Sequence, residues 1–119
     1  SGVCRASRPR MVCRMTPIDP TVVIERMAGR LRAAGAPHPV SGAVAVAARG
    51  HARMGQDEFA EQAGLPVSVI ERAERGDTAF GELPRRIGSV VAATGADILA
   101  LADLEQTWRN QPPPFVAVP

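Results

Sequence analysis

Residues Gly55 to Gly76 read GQDEFAEQAGLPVSVIERAERG, and the reading of this stretch decides the fold. In its first half, Phe59, Ala60 and Ala63 recur at three- and four-residue spacing, while Asp57, Glu58, Glu61 and Gln62 fall elsewhere. That is the one-sided pattern of a surface helix about two turns long. Gly55 stands at the N-cap, and Glu58 brings a capping-box carboxylate and a favourable negative charge to the first turn. Gly64-Leu65-Pro66 then ends this helix and opens another, because glycine accepts a left-handed C-terminal conformation and proline has no N–H to lose in a first turn. In the second half Ile70 and Ala73 share one face, Ser68, Glu71, Arg72 and Arg75 point away, and Gly76 closes the segment. Two short helices at a steep angle cannot bury an apolar stripe alone, so the unit demands further helices around it.

The flanking sequence supplies them. Pro20 to Ala34 places Val23, Met27 and Leu31, with Ile24, on one stripe and Arg26, Arg30 and Arg32 mostly off it. This predicts a helix that serves as a brace or as a dimerisation element. Gly35-Ala36-Pro37-His38-Pro39 stops it, with His38 expected as a solvent-exposed linker residue. Ser41 is expected to cap the next helix, which runs to about Arg53 with Val44, Ala45, Ala48 and Ala52 inward. Its side chains are small, and Gly42 and Gly50 each cost about 1 kcal/mol of helix propensity relative to alanine.

After a loop over 77–81, Pro84 opens a helix to about Thr94, with Ile87, Val90, Val91 and Thr94 inward. Asp97 caps a last helix from Ile98 to about Trp108, in which Ile98, Leu101, Ala102 and either Leu104 or Glu105 set the buried face. Trp108 covers the core edge or sits in a subunit contact. The expectation is an all-α chain: a compact five-helix helix-turn-helix domain over 41–109 with an additional N-terminal helix over 20–35. A flexible basic arm over 1–19 and a Pro-rich tail over 110–119, with Phe115 to Val118 available to a partner, complete the organisation.

Composition narrows the function. A chain of 119 residues, 45% hydrophobic and 3% aromatic, builds one modest core of Ala, Val, Ile and Leu. One Trp and no Tyr argue against a stacking platform for single-stranded nucleic acid. The net charge of +2 is unevenly spread. Seven arginines face two acids over 1–34, whereas six arginines face eight acids over 44–102. Attraction to nucleic acid therefore has to come from a local cluster or from the arm. The arm is either a solubilising tail or a segment that follows DNA, and Met11 or Met15 is a candidate natural start.

Cys4 and Cys13 have no partner ligands nearby, so no metal is expected. No apolar run is long enough for a bilayer and no signal-peptide pattern follows the arm's arginines, giving an expectation of a cytoplasmic protein with no membrane contact. His38 and His51 lack an acid or nucleophile at usable spacing, and no Gly-rich phosphate loop is present, so neither an enzyme nor a cofactor is expected.

The block from about residue 44 to 102 resembles the lambda-repressor-like (Cro/C1-type, XRE family) helix-turn-helix domain. The residues that carry the resemblance are Arg49, Gln56-Asp57-Glu58-Phe59-Ala60, Ala63-Gly64-Leu65, Ile70, Glu74-Arg75-Gly76, Ile87, Val90-Val91 and Thr94-Gly95-Ala96. The spacing runs without insertion through Gly76, and the block covers about half the chain. The resemblance implies that Gln56 contacts a phosphate, that Pro66, Val67, Ser68 and Arg72 face base edges in the major groove, and that Glu74 is structural. It also implies a DNA-binding transcriptional regulator that acts on double-stranded DNA as a homodimer. The physical logic agrees, because free N–H groups at a helix N-terminus suit phosphate and a helix fits the major groove.

The chain departs from the pattern at Pro66, where Ser or Thr is usual, at Val67 and Val69, where polar residues are usual, at Gly55 in place of Ser, at Arg53 in place of Gly, and at Pro84 near an expected Leu. Arg72 is then the only strong hydrogen-bonding reader. A second reading follows from the exposed valines expected of such a helix: a protein-interaction module, such as an antitoxin or accessory subunit, presenting Val67, Val69, Met54 and the apolar tail.

Overall fold

Six α-helices and one 3-10 turn make up the regular structure of residues 19–111, the part of the chain described by this computed structural model, and no strand occurs among these residues. In order they are α1 (Pro20–Ala33), α2 (Pro39–Ala52), α3 (Gln56–Ala63), α4 (Val67–Glu74), the 3-10 turn Phe80–Glu82, α5 (Arg85–Ala93) and α6 (Ile98–Arg109). The expected all-α architecture, a five-helix unit preceded by one further helix, is what the chain forms. The arm through residue 18, with Cys4 and Cys13, and the tail from residue 112, with Phe115 to Val118, lie outside the described residues.

The core is organised around α2, which packs on all five other helices. Every residue from Pro39 to Ala45 is buried, as is Ala48. A helical segment buried on all sides can be approached closely only if its side chains are small, and the first two turns of α2 meet that condition with PVSGAVA. Gly42 marks the closest approach. A Cβ built there would lie 2.9 Å from Leu31 Cδ1 and 3.0 Å from the backbone nitrogen of Gly76. Gly76 has φ +80°, and a Cβ on it would lie 2.9 Å from Ala36 Cβ and 3.1 Å from the His38 carbonyl oxygen. The His38 N–H also donates to the Gly76 carbonyl at 2.8 Å. The start of α2, the α1–α2 loop and the end of α4 are thus locked together through two glycines.

Three details differ from the sequence expectation. The buried stripe of α1 is Ile24 and Ala28, with Met27 and Leu31 at its margin, while Val23 is 38% exposed. The helix is rotated by about one position from the predicted stripe, because Ala28 offers the flat surface that close packing on α2 requires. Asp19 caps it, its carboxylate accepting from the Thr21 N–H at 2.9 Å, and the Thr21 hydroxyl in turn accepts from the Asp97 N–H at 2.9 Å.

α2 begins at Pro39 and not after Ser41. His38 is its N-cap, only partly exposed and not a free linker residue. Ser41 is fully buried inside the first turn, where its N–H and hydroxyl both donate to Glu105 Oε1, at 2.9 and 3.1 Å. The buried face of α6 accordingly passes through Leu101 and Glu105, resolving the choice between Leu104 and Glu105 in favour of the charged residue. A carboxylate there satisfies donors at the N-terminus of α2 that no apolar side chain could. Asp97 caps α6 as expected, accepting from the Ala100 N–H at 3.0 Å. No single helix among the described residues is long and apolar enough to cross a membrane.

Candidate nucleic-acid interface

The two-helix unit is built as its glycines and proline dictate. Gly55 enters α3 in an extended conformation, and Gly64 leaves it left-handed, at φ 71° and ψ 32°. The Leu65 N–H returns to the Ala60 carbonyl at 2.9 Å, and Pro66, extended at the next N-cap, gives its carbonyl to the Val69 N–H at 3.0 Å to start α4. Phe59 and Ala60 from α3 and Ile70 and Ala73 from α4 are buried together against α2. This fixes which side of α4 remains outside.

A polar network holds the two helices to α2. Glu74, at the end of α4, receives Arg49 Nε at 2.6 Å on one oxygen and Arg49 Nη2 at 3.1 Å on the other. Arg49 Nη1 also donates to the Met54 carbonyl at 3.2 Å, in the turn between α2 and α3. Gln56 Nε2 donates to Glu74 Oε1 at 3.0 Å. One carboxylate therefore joins three helices, and Arg49 ties in the turn between two of them. The hydrogen bond to Glu74 raises the Arg49 pKa above the ordinary arginine value, against the opposing effect of its partial burial and with the added attraction of the Glu74 charge. Arg49 is thus cationic at every ordinary pH.

Against this frame the predicted contact residues separate. Pro66, Ser68 and Arg72 are exposed, and Ser68 and Arg72 are four apart on one helix face. The Arg72 side chain makes no ion pair with Glu71 or Asp77, and the neighbouring salt bridge is Arg75 with Asp77 at 3.1 Å on the open surface. Val67 is half-buried and packs against the core, as does Met54, so neither offers a full apolar contact to a partner. Gln56 is half-buried with one N–H committed to Glu74, which leaves its second amide N–H for an external acceptor. Of the predicted contact residues, the outward polar groups are then Ser68, Arg72 and the free half of Gln56, and Asp57, Glu58, Glu61, Gln62 and Arg75 of the same unit are exposed as well.

Sequence reading missed three features of this region. The pairing of Arg49 with Glu74 spans α2 and α4, and its only sequence signal is the presence of both residues in the repressor-like pattern. The contact between Gly42 and Gly76 is invisible to helix propensity, which counts Gly42 as a cost. Arg53 is the third: at φ 59° and ψ 46° it is the one non-glycine residue with positive φ among those described, the other four being Gly35, Gly64, Gly76 and Gly95. It ends α2 two residues before Gly55, exposed, where the repressor-like pattern that this block resembles carries glycine. Its replacement of that glycine was the available signal.

No group of three or more His, Cys, Asp or Glu side chains among the described residues is arranged to hold a metal ion. Compared with protein-family models, with curated proteins and with solved structures, the chain finds no match in any of the three.

Proposed function

We propose that the chain is a sequence-specific, double-stranded DNA-binding transcriptional regulator of the lambda-repressor-like kind, acting as a homodimer. The observation that carries this reading is the division of labour on α4: Ile70 and Ala73 are buried and Glu74 is clamped by Arg49 and Gln56, while Ser68 and an unpaired Arg72 are left outward on the same helix, with Pro66 exposed at its N-cap. A helix held this firmly by its inner face presents its outer face without reorganisation, which suits insertion into a major groove. Arg72 would read guanine through its fork of donors, and Gln56 would hold a phosphate. With so few readers, much of the selectivity would come from DNA shape and backbone contact.

The test is binding to labelled genomic fragments at low and moderate salt, with Arg72→Ala beside the parent chain. Preferred fragments are expected to be retarded, with affinity falling steeply as salt rises. The variant is expected to lose about 1–3 kcal/mol on the preferred fragment and most of its preference. An absence of retarded DNA at low salt, or indifference of both proteins to sequence, would overturn the proposal.

A second reading, a protein-interaction module such as an antitoxin or accessory subunit, loses the support of Val67 and Met54, which pack inward. It draws instead on Leu99, 82% exposed on α6, and on an apolar cleft between α1, α2 and α5 lined by Val23, Met27, Val46 and Ala47. Recovery of the protein alone from its native host under gentle conditions would count against an obligate partner.

A further inference from the structure

A second concave site lies where the α1–α2 loop meets the last turns of α6. The cavity there has a volume of about 270 Å³ and is lined by Arg32, the loop residues Gly35 to Pro37, Pro39, Glu105, Trp108, Arg109 and Gln111. Three observations give it a chemical character. Glu105 is only 3% exposed, and while its Oε1 is satisfied by Ser41, its Oε2 has no hydrogen-bond partner. A buried carboxylate oxygen without a partner is costly and marks a place where a donor is wanted.

Arg109, at the outer margin, is exposed and enters no ion pair among the described residues. Trp108 lines the same cavity, and one face of its ring is occupied by the Arg32 guanidinium at 4.5 Å from the centroid. The Arg32 guanidinium is thereby held on the indole.

We infer that this cavity binds a compact zwitterion of the amino-acid type, its ammonium group on Glu105 Oε2 and its carboxylate toward Arg109. The polarity follows from the order of charges, the buried Glu105 inside and the exposed Arg109 outside. A simple cation would bring no carboxylate to Arg109, and a simple anion would face the buried Glu105. The size follows from the volume, which lies just under the range usual for drug-sized ligands and admits only a small molecule. Binding here does not depend on the DNA-reading proposal, because none of the lining residues belongs to α3 or α4.

Trp108 is the single tryptophan of the chain and lines this cavity, so the tryptophan fluorescence comes from the cavity wall. The full chain is titrated with glycine, alanine and 4-aminobutyrate, and with methylamine and acetate as analogues lacking one charge. Titration runs to about 50 mM, well above the ~1 mM dissociation constant reasonable for so few atoms. At least one zwitterion is expected to give a saturable change, and both single-charge analogues to bind at least about tenfold more weakly, since each forfeits one charge-assisted contact. Glu105→Gln, which keeps the shape and removes the charge, is expected to weaken the zwitterion about tenfold or more by the same loss. Arg109→Ala, at an exposed position that does not threaten folding, is expected to make methylamine and the zwitterion bind alike. No saturable change with any zwitterion, acetate binding as well as the zwitterion, or an unchanged affinity in a folded Glu105→Gln protein would each overturn the inference. Should Glu105→Gln fail to fold, the wild-type analogue series and Arg109→Ala decide it.

Discussion

Glu74 closes α4 onto α2 by receiving the Arg49 guanidinium on both carboxylate oxygens, at 2.6 and 3.1 Å, with the Glu74 side chain 9% and the Arg49 side chain 29% exposed. Such a two-point contact fixes an angle as well as a distance, so the orientation of α4 is set by this pair together with the burial of Ile70 and Ala73.

Removing the carboxylate leaves a partly buried guanidinium with only the Met54 carbonyl. Glu74→Ala is therefore expected to cost about 2 kcal/mol, between the values for surface and buried pairs. Urea unfolding of both single mutants and the double mutant with Arg49→Ala measures the pair directly. A coupling energy near zero would show that the two side chains merely neighbour each other.

Gln56 gives a sharper test of the same network. Gln56→Glu would set a second carboxylate where Nε2 now donates to Glu74 at 3.0 Å. Two close carboxylates raise at least one folded-state pKa above its unfolded value. For an acid this means that the deficit is full above the raised pKa and shrinks as pH falls through it. The variant is expected to be less stable than the parent at neutral pH by about 1–3 kcal/mol, the cost of an unsatisfied or repelled buried group. The gap should narrow on mild acidification. A gap independent of pH between neutrality and pH ~5 would locate the effect elsewhere.

Two glycines in the same helix are expected to respond with opposite sign. An added Cβ at Gly50 meets nothing within 4 Å, so Gly50→Ala should stabilise by about 0.5–1 kcal/mol through helix propensity alone. At Gly42 the added methyl would press on Leu31 and on the backbone of Gly76, and Gly42→Ala should destabilise by about 1–3 kcal/mol. Thermal melts of the two variants side by side check the difference. Equal shifts would mean that the helix ends separate to admit the methyl.

Arg53 adopts the left-handed conformation that this chain otherwise gives to glycine. Arg53→Gly removes a conformational penalty of about 1 kcal/mol and should raise the unfolding midpoint by a few degrees. A lowered midpoint would show that the arginine side chain contributes more in contacts than its backbone costs.

Much of the fold was legible because its signals are local. Pro20 and Asp97 announce helix starts, Gly35, Gly64, Gly76 and Gly95 announce ends, and the spacing of Phe59-Ala60 and Ile70-Ala73 shows which faces turn inward. Of the candidate interface, Arg72 and Ser68 were readable as outward polar residues for the same reason. The burial of Val67 and the engagement of Gln56 were not, because each depends on a neighbour distant in sequence.

The sequence by itself determined the number, order and approximate limits of the helices, since periodicity, capping and chain breakers act within a few residues. Only the tertiary structure decided what α2 is. Helix propensity reads it as a small-residue helix weakened by Gly42 and Gly50, whereas packing makes it the axis of the core, where Gly42 admits Gly76, Ser41 meets Glu105 across 64 residues and Arg49 meets Glu74 across 25. Such pairings are selected by geometry and by the cost of leaving a buried polar group without a partner, and neither is written in local spacing. The stretch from Gly55 to Gly76 named the fold; α2 holds it in place.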